Sequence, residues 1–239
     1  MPPIKLIKKQ HIWLPTPLGL IIITLVLLSS SIFTLKNLAY YLAQQQSIKS
    51  PILIVEGWIS ELALNEVIKH YKTEDYKIII TTGGMIKKRN RKKYKNYAEL
   101  AAAYLRNNGL SNANIKILPT PGAVQHRTYL SAVTVRNWLQ QQNIKTKQIN
   151  LYSQGVHARR TKALYEMVFG EQYKIGINAA KTKEYKLDSW WKSSIGAKSV
   201  ITEILGLTWM KCCFYPEEMP TLPRQIGHIS IENECDFSL

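Results

Sequence analysis

The sequence predicts an α/β domain with a mainly parallel sheet, preceded by one transmembrane helix. Three observations carry that prediction. One uncharged apolar stretch near the N-terminus is long enough to cross a bilayer. Short buried-looking strands then alternate with amphipathic helical segments, which is the pattern of βαβ units. Finally, the first three strands stop at Glu56-Gly57-Trp58, Thr81-Thr82-Gly83-Gly84 and Pro119.

The apolar stretch comes first. Between Lys9 and Lys36 there is no Asp, Glu, Lys or Arg, and Leu18 to Leu35 reads LGLIIITLVLLSSSIFTL. A spanning helix needs roughly 20 apolar residues, with a lower limit near about 17. Pro15 and Pro17 suit the start of such a helix, where a missing N–H is tolerated. The apolar region of a cleaved signal peptide is shorter, about 7–15 residues, and ends in a small-x-small site. Phe33-Thr34-Leu35-Lys36 offers none. An uncleaved anchor is therefore expected over 18–37, after an N-terminal segment at 1–17 and before a polar helical linker at 38–50. Lys5, Lys8 and Lys9 precede the span, while only Lys36 and Lys49 follow closely. The positive-inside rule then puts the N-terminus in the cytoplasm and the domain outside the plasma membrane.

The domain is expected over 51–211. Its strands are Ile52 to Val55, Ile78 to Ile80, Ile115 to Leu118, Ile149 to Tyr152 and Lys174 to Ile177. Helices are expected over 60–72, 96–108, 128–142, 157–168 and 189–210, the last with a break near Gly196. Asn96 followed by Glu99 is a capping-box start, and Gly109 is a stop signal. The remainder, 212–239, reads as an irregular tail. It holds all three cysteines, Cys212, Cys213 and Cys235. No CxxC or Cys/His spacing points to zinc, and no metal site is expected.

The net charge of +16 is unusual. Only four of those positive charges precede residue 37, so the excess belongs to the domain. The stretch 87–95, KKRNRKKYK, carries seven basic residues in nine. Such a domain is drawn to anionic lipid, phosphorylated polymers or nucleic acid. Nucleic acid is not expected for a domain outside the cytoplasm. Membrane contact through 87–95 is expected instead.

In a parallel sheet, ligands bind beyond the carboxyl ends of the strands, so the loops there hold the candidate site. Thr81-Thr82-Gly83-Gly84 follows the second strand, and paired glycines let backbone N–H groups turn toward an anion; a plain turn is the alternative. Ser153-Gln154-Gly155-Val156-His157-Ala158-Arg159-Arg160 follows the fourth. His157 is a candidate acid or base and Arg160 a candidate anion clamp, with a helix-capping His157 as the plain alternative.

These residues also carry a resemblance. Gly83-Gly84, Glu99 opening a helix, Gly109-Leu110 closing it, Arg127-Thr128 opening the next, His157-x-x-Arg160 and a late Glu203 together resemble the ElyC/SanA/YdcF family (domain of unknown function 218). The likeness runs from about Ile52 to Trp209. It implies a Rossmann-like three-layer fold and, for members with one N-terminal membrane helix, a role in cell-envelope, peptidoglycan or lipid-carrier biogenesis. It carries Gly83, Gly84, Glu99, Thr128, His157, Arg160 and Glu203 into the candidate site. Two departures stand out: Arg127 where many members have Asn, and Glu56-Gly57-Trp58 where a Gly-rich turn is common. The site proposed on this basis has Glu99 and His157 transferring protons. Gly83, Gly84, Arg127, Thr128, Ser153, Arg160 and Glu203 hold an anionic, phosphorylated ligand. A non-catalytic envelope docking factor, and a domain binding a nucleotide or S-adenosylmethionine, are the alternatives. Neither the reaction nor a cofactor follows from the sequence.

Overall fold

The computed structural model describes residues 14–86, 93–122 and 125–216. By its internal contacts the chain divides into two units, Met1–Leu38 and Ala39–Leu239. The first unit holds most of helix α1, Pro17–Leu42. Thr16 starts it, its hydroxyl accepting the Gly19 N–H at 3.1 Å. Its most apolar window has a mean hydropathy of 2.4 and buries none of its residues in protein. This helix is long and apolar enough to cross a membrane.

The second unit is a three-layer α/β domain. Its elements run β1 Ile52–Glu56, α2 Glu61–Thr73, β2 Ile78–Gly83, α3 Tyr97–Asn107, β3 Ile115–Pro119, α4 Arg127–Gln141, β4 Gln148–Gln154, α5 Ala158–Phe169, β5 Lys174–Ala180 and α6 Ser194–Cys213. The five strands are all parallel, in the order β3-β2-β1-β4-β5. This is the order of a doubly wound Rossmann-like sheet, with its topological switch point between β1 and β4.

The strand sequences explain the burial. β1 is buried at every position, as expected for a central strand covered on both faces. Leu53, Val55 and Ile79 pack with Ala63, Leu64 and Val67 of α2 and Ala101, Ala102 and Leu105 of α3. α4 and α5 pack together and cover the other face, which receives the alternate residues of the strands.

Several boundaries differ from the sequence reading, and two of them have a clear local reason. α1 continues to Leu42 because Ala39 and Leu42 are fully buried in the domain. The residues that follow are fastened rather than loose. Gln46 pairs antiparallel with Ile177 on the β5 edge. Asn150 accepts the Ile48 N–H at 3.0 Å and donates back to its carbonyl. Near the C-terminus the break falls at Ser193, not Gly196. The Ser193 hydroxyl caps α6 by accepting the Gly196 N–H at 2.9 Å. Gly196 is required because a Cβ there would stand 2.3 Å from the Trp190 carbonyl oxygen. α6 then runs to Cys213.

Candidate functional site

Glu56 is the last residue of β1, and its alternation along the strand turns it toward the α4/α5 face. Ser153 lies near the end of β4, next to β1 in the sheet. A single 3-10 turn, Gly155–His157, joins β4 to α5. Gly155 has φ 54°, a left-handed conformation that glycine adopts without strain. The turn brings His157 back over the switch point. Arg160 and Thr161 follow one turn later on α5.

These side chains form one cluster. The Ser153 hydroxyl donates to Glu56 Oε2. The Thr161 hydroxyl donates to the same oxygen at 3.3 Å. His157 lies between two carboxylates. Its Nδ1 is 2.9 Å from Glu203 Oε1 and its Nε2 is 3.7 Å from Glu56 Oε1. Arg160 binds Glu203 bidentately, Nε to Oε2 at 2.8 Å and Nη2 to Oε1 at 3.0 Å. Arg160 Nη2 also stands 3.0 Å from His157 Nδ1. A guanidinium only donates, so Nδ1 can accept from Arg160 when it is unprotonated, or donate to Glu203 when it carries a proton; the raised pKa of the ring favours the second. Gly206, one turn beyond Glu203, leaves the room: a Cβ there would be 3.2 Å from Arg160 Nε. Trp58 sets its ring edge-on to the imidazole, with centroids 5.1 Å apart.

The electrostatics follow from this packing. The His157 side chain is 12 % exposed and that of Glu56 5 %. Burial alone would lower the histidine pKa, but Glu56 and the hydrogen-bonded Glu203 overcome it and raise it to about 9. Burial likewise pushes Glu203 up. Its bonds to His157 and Arg160 outweigh that and hold it at about 2. At neutral pH His157 is therefore an imidazolium and Glu203 a carboxylate.

One donor is left underused. His157 Nε2–H faces Thr128 Oγ1 at 3.4 Å and Glu56 at 3.7 Å. Charge-assisted bonds are normally about 2.7–2.9 Å. The Nε2–H therefore has capacity for another acceptor. Thr128 lies in the first turn of α4. That helix starts at His126, in a left-handed conformation, with no side-chain cap among the described residues. α2, α3 and α6 are capped, by Ser60, Asn96 and Ser193, whereas α5, like α4, has no side-chain cap among the described residues. An uncapped helix start presents free N–H groups and a partial positive charge. Arg127 is exposed at the same point.

The structure therefore brings together Thr128, Ser153, His157, Arg160 and Glu203. Glu99 lies elsewhere. It belongs to α3, on the opposite face of the sheet from α5. Both its carboxylate oxygens are occupied locally, accepting from the Lys95 N–H and from Asn96 Nδ2, each at 2.9 Å. With the Asn96 side chain accepting the Glu99 N–H at 2.8 Å, this is a variant of the capping box in which Glu99 reaches the N–H one residue before the cap. The carboxylates that flank His157 are Glu56 and Glu203, and Glu99 makes no hydrogen bond or ion pair with it. Gly83 also has a packing role. A Cβ there would meet Tyr97 Cβ at 2.7 Å, whereas one at Gly84 would meet nothing within 4 Å. The two carbonyls accept from Thr120 and Tyr97 N–H groups.

Glu56 was not among the sequence candidates. The available signal was a lone acid ending an otherwise apolar strand, Ile-Leu-Ile-Val-Glu. The next residue, Gly57, packs against α3. A Cβ on it would lie 2.3 Å from the Tyr97 carbonyl oxygen. The basic stretch predicted to meet membrane, 87–95, lies mostly outside the described residues. Cys235 does as well, while Cys212 and Cys213 are exposed free thiols. Among the described residues no group of three or more His, Cys, Asp or Glu side chains is arranged to hold a metal ion. No protein-family model, curated protein or solved structure matches the chain.

Proposed function

We propose that this is a single-pass membrane protein of the cell envelope. On this reading its domain binds an anionic, phosphorylated ligand at the carboxyl edge of the sheet, between β1 and β4. The observation that carries the proposal is His157: an imidazolium held charged by Glu56 and Glu203, with an underused Nε2–H beside the uncapped start of α4. A phosphate oxygen at Nε2 would gain a charge-assisted bond, the α4 N–H groups and the Arg127 charge together. With a pKa near 9, His157 acts as a proton donor rather than a base at neutral pH. Arg160 and Glu203 orient it, and Ser153 and Thr161 hold Glu56. The resemblance to the ElyC/SanA/YdcF family supports the envelope setting and a phosphorylated lipid carrier as the ligand class. The lysines before α1 support a cytoplasmic N-terminus and an outward-facing domain.

The test is a titration of the reconstituted chain, carrying ring-labelled histidine, with a polyprenyl phosphate and with inorganic phosphate. A phosphate at Nε2 should move the His157 ring signals and raise its pKa further. His157→Gln should abolish saturable binding. If the His157 signals are indifferent to both compounds, the ligand reading fails. A reporter active only outside the cytoplasm, fused after Leu239, checks the orientation.

A further inference from the structure

α6 has two unlike faces. Gly196, Val200, Leu207 and Met210 are buried, and Glu203 lies on the same side, turned in to His157 and Arg160. On the opposite side, Ile201, Leu205 and Trp209 follow one another at four-residue spacing. They are 53, 64 and 43 % exposed. Cys212 extends the line, also exposed. Residues three and four apart share a helix face, so this is one continuous apolar stripe, about half exposed, with the Trp209 ring also packed against His126 and Phe214. The exposed charges on α6 itself have one sign. Of the three charged residues in α6, Glu203 is consumed inside, and the exposed two are Lys198 and Lys211. Lys192, just before the helix, is exposed as well.

We propose that the outer face of α6 lies in the headgroup region of an anionic bilayer, as a second membrane contact besides α1. An apolar stripe bearing Trp and flanked by lysines is the pattern of a helix lying in the plane of an interface. The indole of Trp209 suits that depth, with an apolar body and a polar N–H. The lysines match anionic headgroups, and an acidic surface would be needed to attract them. The proposal rests on the reading of α1 as a membrane span, which confines the domain to a bilayer. It also sets the depth of the site. Glu203 and the lipid-facing Leu205 sit on opposite sides of one helix, roughly 10 Å across. The His157 cluster then lies roughly 10 Å from the lipid-facing stripe, at the water-side edge of a headgroup layer about 5–8 Å thick.

The experiment uses the full chain in vesicles containing phosphatidylglycerol, with Cys212, Cys213 and Cys235 replaced by serine. A spin label is placed at Leu205→Cys or, as a control, at the exposed Lys69→Cys on α2. Label collisions with oxygen, which concentrates in lipid, are compared with those of a water-soluble nickel chelate. The proposal expects the 205 label to favour oxygen several-fold over the 69 label, and to lose that preference in vesicles of neutral lipid with Lys192, Lys198 and Lys211 changed to glutamine. Equal, chelate-rich access at both positions overturns it. So does dipolar broadening between 205 labels, which would put a second copy on the stripe. A label shielded from both reagents until the chain is cut after Pro216 would assign the stripe to the C-terminal segment. A chain that does not float with the vesicles removes the membrane span itself, and the α6 contact with it.

Discussion

Two histidines sit against the same sheet, both partly buried, and they are driven in opposite directions. His70, near the end of α2, meets neutral partners. Its Nε2 is 2.9 Å from Tyr76 Oη, and Asn150 Nδ2 donates to that phenol at 2.8 Å. A chain of bonds from Asn150 through Tyr76 ends on His70 as acceptor, which keeps its ring neutral. Burial lowers its pKa, opposed weakly by Glu74. His157 is also desolvated, yet Glu56 and Glu203 raise it to about 9. Burial by itself thus says little about a histidine's charge; the partners at hydrogen-bond distance decide it. His70 belongs to the polar joint that fastens residues 46–50 to the sheet, and His157 to the site.

The comparison breaks most visibly at His157. Changing it to glutamine leaves Glu56 and Glu203 facing one another with Arg160 as the only cation. Removing one member of a buried charged set costs about 3–5 kcal/mol, so the midpoint of denaturant unfolding should fall accordingly. A loss below about 1 kcal/mol would mean that the ring is not charged in the folded protein. The pH profile gives the sign. His157 has a folded pKa of about 9 against 6.5. Its contribution is therefore complete below pH 6.5 and is lost as pH rises through about 9. One pKa unit is worth about 1.4 kcal/mol, so this contribution is about 3 kcal/mol. Glu203, held at about 2 against 4.5, reports the same interaction from the acid side. That stability is present above pH 4.5 and lost toward pH 2. In Glu203→Gln the His157 pKa, followed by NMR, should drop by more than one unit.

Smaller effects sharpen the contrast at the joint. Asn150→Ala leaves the Ile48 N–H and carbonyl without their partner, at about 1–3 kcal/mol. Limited proteolysis should then cut between 43 and 50 faster than in the parent chain. Ser60→Ala removes a helix cap and should cost about 1 kcal/mol, without moving either histidine. The smallest effect is expected from His70→Gln. The native ring resists protonation, so it loses stability as pH falls through 6.5, and the variant's profile should be flatter there. Steeper acid loss in the variant would mean that His70 is charged after all.

Much of this molecule is determined locally. The uncharged run from Leu18 to Leu35 makes a membrane-length helix by composition. β-branched runs ending at turn residues make the strands, and the Asn96–Glu99 spacing makes a helix cap. The alternation of strand and helix leads to a parallel sheet. His157 and Arg160 share a helix face because they are three residues apart. What surrounds them was not legible in that way. Glu99 has the spacing of a cap, and the cap is where it stays. Glu56 looks like an ordinary strand end, 97 residues from Ser153, and Glu203 lies 46 residues beyond His157. Only the crossover that carries β4 back beside β1 brings the first pair together. Only the packing of α6 on α5, with Gly206 making room for Arg160, brings in the second. Side-chain type and helical spacing are properties of the chain. The charge state of His157 is a property of distances between residues that the chain holds far apart, and those distances exist only once the layers have packed.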